Sequence, residues 1–97
     1  MIEAQDVIDM ANFYEISEFD LFYLAFVWWY ARIPDEKILE KDFKCYLIEN
    51  RIPPYVKQFI RENPLIDDNG LLAEEWLPIL ERLRNRTRGG TYFVYAA

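Results

Sequence analysis

The chain has no histidine, one serine, one cysteine and three glycines. Without histidine there is no Ser-His or Cys-His pair, no HExxH zinc helix and no inward-facing Glu-x-x-His pair for a di-metal carboxylate bundle. Cys45 stands alone, so no intramolecular disulfide forms; a reducing compartment, most simply the cytoplasm, is the expected setting. The glycines are Gly70, Gly89 and Gly90, which rules out both the GxGxxG and the GxxxxGK[ST] phosphate loops. The first twenty residues hold six acids and no base, the opposite of a signal peptide's positive start. The longest uncharged run, Leu21 to Ala31, is eleven residues, short of the roughly 20 that a spanning helix needs.

What is present is apolar and aromatic. Of 97 residues 53% are hydrophobic and 18% aromatic, which fits one domain with one core and no need of disulfide or metal. Seven rings fall between Phe19 and Ile33, in the segment FDLFYLAFVWWYARI. Ser17 offers an N-cap hydroxyl ahead of it, and Glu18 and Asp20 place negative charge in the first turn. The segment reads as a helix over 18–33 that is apolar nearly all round: Phe19, Phe22, Tyr23, Phe26, Trp29, Tyr30 and Ile33 on one face, and Leu21, Leu24, Ala25 and Trp28 on much of the other. Such a helix belongs at the centre of a bundle.

The neighbours follow from spacing and punctuation. Val7, Met10, Ala11 and Tyr14 form a stripe on a first helix over 3–14. After Pro34, Asp35 opens a third helix to Asn50, with Ile38, Leu39, Asp42, Phe43, Tyr46, Leu47 and Asn50 inward and Glu36, Glu40, Lys44, Lys37 and Lys41 towards water. Pro54 suits the first turn of a fourth helix ending near Glu62, with Tyr55, Val56, Phe59 and Ile60 inward. Asp67-Asp68-Asn69-Gly70 supplies turn formers. A fifth helix is expected from Leu71 to about Arg86, kinked or split at Pro78. Arg32-Ile33-Pro34 and Arg51-Ile52-Pro53 repeat the same stop signal, the isoleucine packing down each time. Past Gly89-Gly90 the composition turns β-branched and aromatic, so the expectation is an all-α compact bundle over 1–88 and an extended tail over 89–97.

No residue set identifies a reaction. The closest carboxylate pairs, Asp6 with Asp9, Glu36 with Glu40 and Asp67 with Asp68, lack partners for acid-base work. Counting Gly70 as the sixth position of a calcium loop would place Leu65 first and Trp76 twelfth, which cannot ligate. Cys45 has Lys44 beside it but no base or oxyanion donor, and reads as a structural thiol. Pro53-Pro54-Tyr55 reads as helix initiation rather than a proline-rich ligand.

The expectation is therefore a non-enzymatic protein–protein interaction or adaptor module without metal or cofactor, whose partner is another protein or a second copy of itself. Trp28, Trp29, Tyr92, Phe93 and Tyr95 are the contact candidates, because rings in excess of a small interior mark contact surfaces. Two alternatives remain. The acids Asp6, Asp9, Glu15, Glu18 and Asp20 could make an acidic regulator or decoy for a basic nucleic-acid-binding protein. Arg84, Arg86 and Arg88, with Arg82 and the rings of the tail, could touch an anion such as nucleic acid, although alternate arginines on a helix divide between two sides and the domain is acidic.

Overall fold

The computed structural model describes residues 1–88, which form five α-helices in chain order: α1 Ala4–Tyr14, α2 Glu18–Tyr30, α3 Glu36–Glu49, α4 Pro54–Glu62 and α5 Leu77–Arg88. The tail expected over 89–97 lies outside the described residues. The fold is all-α, and among the described residues no helix is long and apolar enough to cross a membrane.

Each helix start follows from its local chemistry. The Glu3 N–H donates to the Asp6 carboxylate at 2.7 Å, which opens α1. Ser17 Oγ accepts from the Asp20 N–H at 3.0 Å, and Asp35 accepts from the Lys37 N–H at 2.9 Å, so two orphan donors are met as their sequence positions require. Pro54 is the first residue of α4.

The helix ends share a second device. Glu15, Ala31, Asn50 and Asn63 all adopt left-handed backbone, with φ between 43° and 59°, and their N–H groups close onto carbonyls of the last turn. Asparagine tolerates this region; alanine does not, at a cost of roughly 1–2 kcal/mol. Ala31→Gly is therefore expected to raise stability by about 0.5 to 1 kcal/mol, the relief of strain outweighing the added freedom of the unfolded chain. Urea denaturation of the two proteins measures this, and an unchanged or lowered midpoint would contradict it.

The helix α2 lies at the centre, in contact with α1, α3 and α4. Leu21, Phe22, Leu24 and Ala25 have no exposed surface, so both expected faces contribute to the core, with Phe19 and Tyr23 half-buried at its edge. Phe22 sits between Phe43 (ring centroids 5.2 Å, nearly perpendicular) and Tyr46 at 5.3 Å. Phe26 meets Tyr55 edge-on at 5.5 Å, and Trp28 meets Phe59 at 5.8 Å. Val7, Ala11 and Tyr14 of α1 and Leu80 and Leu83 of α5 complete the same core.

Three expectations are corrected. The central helix stops at Tyr30, not Ile33: the Ala31 N–H closes onto Val27 at 2.9 Å, and Pro34 disfavours helical backbone at Ile33. Ile33 is consequently 75% exposed, whereas Ile52, its counterpart in the repeated Arg-Ile-Pro, is buried. On α3 the inward band is narrower than the apolar pattern: Leu39 and Tyr46 are buried and Asp42 and Phe43 half-buried, while Ile38, Leu47 and Asn50 are exposed, because α2 covers one side of the helix only. The last helix begins at Leu77, not Leu71. Leu72 instead bridges Ile66 across a turn in which Asp67 accepts from the Asn69 and Leu71 N–H groups, both at 2.9 Å, with Gly70 at φ 80°. A 3₁₀ turn over Glu74–Trp76 follows, and Pro78 falls in the first turn of α5, where its missing N–H breaks no helical bond.

Candidate functional site

The charged residues singled out from the sequence are largely engaged inside the molecule. Asp20 is only 2% exposed, and its carboxylate accepts from the Arg86 guanidinium, which also lies over the Tyr23 ring at 5.7 Å. Arg84 Nε donates to the Tyr14 carbonyl at 2.8 Å, across seventy positions of sequence. Together these bonds hold α5 against the end of α1 and the start of α2. The possible anion contacts Arg84 and Arg86 thus each have an internal partner, and the Arg88 side chain lies outside what is described. The acidic surface is also smaller than expected. Asp20 is withdrawn from it, Asp6 closes the start of α1 and Glu18 accepts from the Tyr46 hydroxyl, while Asp9 and Glu15 stay exposed.

Tyrosine hydroxyls join the helices. Tyr46 of α3 donates to Glu18 of α2, Tyr55 of α4 donates to Asp42 of α3 at 2.8 Å, and Tyr14 of α1 donates to Asn63 at the end of α4. Spacing alone cannot show these pairs, whose members lie 13 to 49 positions apart. Burial pushes the Tyr14 phenol up to about 12. Burial first, and then the hydrogen-bonded carboxylate, pushes Tyr46 and Tyr55 well above the ordinary value of 10.0. Each hydroxyl is therefore harder to ionise folded than unfolded. The stability this represents is complete below pH about 10 and is lost as pH climbs through the folded values. Stability is expected to be lower at pH 11 than at pH 8. Denaturation midpoints across that range, compared with the Tyr14→Phe, Tyr46→Phe and Tyr55→Phe proteins, provide the check; a flat profile would count against these assignments.

Rings reach water at the end of α2 and, on α1, at Phe13, which is 59% exposed. Trp28 is half-buried against Phe59, and Trp29 packs edge-on to it at 5.9 Å while remaining 46% exposed. Tyr30, exposed to the same extent, lies tilted against Phe26 with ring centroids 4.4 Å apart, and the Arg32 guanidinium is 5.7 Å from the Tyr30 ring centre. Ile33 follows directly. The other contact candidates, Tyr92, Phe93 and Tyr95, lie outside the described residues.

The surface depressions are shallow. One of about 280 Å³ is lined by Tyr23, Ile33, Arg82, Leu83 and Arg86. Another, of about 290 Å³, lies at the corner between α1 and α2 and has Ile8, Ala11, Ile16, Phe19 and, from α3, Phe43 among its lining residues. The sequence reading gave this second one no role, because Ile8 falls outside the α1 stripe and its neighbours belong to three different helices. The Cys45 thiol is half-buried, beside Asp42, Arg51, Ile52 and Pro53. Among the described residues no group of three His, Cys, Asp or Glu side chains could hold a metal ion. Comparison of the chain with protein-family models, curated proteins and solved structures finds no match.

Proposed function

We propose that the chain is a small protein–protein interaction module of a reducing compartment, that it performs no chemistry of its own, and that the exposed end of α2 is its primary contact. The observation that carries this reading is the uneven burial of one helix. Phe22 is completely enclosed, yet two turns later Trp29 and Tyr30 present nearly half of their surface, with Ile33 beyond them. Large rings held by packing on a rigid helix lose little entropy when they are covered, and this makes Trp and Tyr effective anchors at interfaces. Internal use of Arg84, Arg86 and Asp20 supports the same reading over the two charge-based ones, since it leaves fewer free groups to recognise a polyanion or imitate one.

A second copy of the chain is the simplest partner to test. Sedimentation of the wild-type protein and of the Trp29→Ser/Tyr30→Ser double variant, from low to several hundred micromolar, is expected to show association by the wild type and its loss in the variant at unchanged helical circular dichroism. If the wild type stays monomeric throughout, the partner is a different protein, and cross-linking in native extract should then yield a product that the double variant does not form. No self-association and no variant-sensitive product would remove the proposal.

A further inference from the structure

We propose that Asn69 is a site of spontaneous modification: the Gly70 nitrogen attacks its side-chain amide, and the bend between α4 and α5 converts to aspartate and isoaspartate as the chain ages. Asparagine is thermolabile, and its side chain lies within reach of the next backbone nitrogen. The following residue and the local backbone decide which asparagine reacts. Among Asn12, Asn50, Asn63, Asn69 and Asn85, only Asn69 precedes glycine, which has no side chain to obstruct the attack. Asn63 precedes Pro64, whose nitrogen carries no hydrogen. Asn12 and Asn85 lie within α1 and α5, where helical bonds fix the backbone. After Asn50, the Arg51 N–H is bonded to the Cys45 carbonyl at 3.2 Å. Asn69, by contrast, is exposed, and a methyl group placed on Gly70 would meet no atom beyond its chain neighbours within 4 Å, so a ring has room to close.

In the first step the Gly70 nitrogen gives its proton to solvent and bonds to Asn69 Cγ. The Cγ–Nδ2 bond breaks, and the amide nitrogen takes up a proton and leaves as ammonia, closing a succinimide ring. Water then opens the ring at either carbonyl: at Cγ it yields aspartate, and at the backbone carbonyl it yields isoaspartate, with the main chain rerouted through the side chain. Nothing is oxidised or reduced, and water is the only co-reactant. The turn is a brake on the first step. The Gly70 N–H donates to the Asp67 carbonyl at 2.9 Å, and Asp67 Oδ1 accepts from the Asn69 and Leu71 N–H groups, so the attacking nitrogen reacts only when the turn opens locally. Isoaspartate adds one methylene to the main chain at this point. The two N–H groups then no longer meet one carboxylate oxygen, and Leu72 loses its register against Ile66.

The full chain is kept in warm, mildly basic buffer for several times the period in which the urea-unfolded chain converts, and its peptides are then weighed. The peptide carrying Asn69 is expected to gain one mass unit, OH in place of NH2, before any other asparagine changes, and to accept methyl groups from an isoaspartyl-specific methyltransferase. Asn69→Gln should lose this early gain. Asp67→Ala, which releases the turn, should react severalfold faster than the wild type. The aged protein should show a lower urea midpoint, with a smaller loss in Asn69→Asp, which carries the same charge on an ordinary backbone. An unchanged Asn69 in the folded protein, or earlier conversion at Asn12, Asn50 or Asn85, would overturn the inference. Equal rates for the wild type and Asp67→Ala would remove the brake assigned to the turn.

Discussion

Phe22→Ala is expected to lower the unfolding free energy by about 3 to 5 kcal/mol, because the ring is wholly buried and the space it leaves cannot close. Phe43 and Tyr46 contact the ring of Phe22, and both belong to α3, so the gap opens between two helices and neither backbone can relax into it alone. A domain of this size has a total stability of roughly 5 to 15 kcal/mol, so the variant stands near the edge of folding. Urea denaturation followed by circular dichroism supplies the comparison. Phe22→Leu, which keeps most of the volume, should lose less than half as much. A loss under about 1 kcal/mol for the alanine variant would mean that α2 is not the helix around which the others pack.

Arg86→Met should be more damaging than the same change at the exposed Arg82 of α5, at about 2 to 3 kcal/mol. It removes a guanidinium from the Asp20 carboxylate while roughly keeping the length of the side chain that lies over Tyr23. The carboxylate side chain is 3% exposed and the arginine 46%, so the cost falls mainly on the buried acid, and the exposed half of the arginine keeps the loss below that of a fully enclosed pair. A double-mutant cycle with Asp20→Asn separates the pair from each partner's other contacts. Coupling of more than about 1 kcal/mol is expected, and coupling near zero would show that the two side chains act independently. Arg82→Met is the matched control, since Arg82 is exposed beside the same depression; its expected change is within about 0.5 kcal/mol.

Helix identity was legible wherever local chemistry decides it. Ser17, Asp35 and Pro54 mark starts that depend on one or two neighbouring residues, and the ring-rich run over α2 required enclosure whatever enclosed it. Direction of exposure was less legible. Ile33, Leu47 and Ile48 carry the same apolar signal as Ile52 and Leu39, and only the position of a neighbouring helix separates the exposed from the buried. The Leu71–Trp76 stretch has helical spacing, but Asp67 gathers two backbone N–H groups into a turn and holds Leu72 against Ile66, a local competition that periodicity does not register. Asp20 was the least legible of all. At the start of a helix an aspartate reads as a favourable first-turn charge, and its true partner lies 66 positions away. The depression beside Ile8 and Phe43 was invisible for a related reason, since its lining comes from three helices and a connector.

Short connectors that begin with left-handed corners leave little slack between α1 and α4: Glu15 to Ser17, Ala31 to Asp35 and Asn50 to Pro53 are all that separates one helix from the next. The connector from α4 to α5 is different in kind, with each residue from Asp67 to Leu71 exposed and the region's one glycine at the bend. That bend is the natural port for engineering: an affinity handle or a fluorophore-bearing insert between Asn69 and Gly70 would project from the molecule while the four preceding corners keep their angles. It would let the full chain be tethered or tracked with both termini untouched.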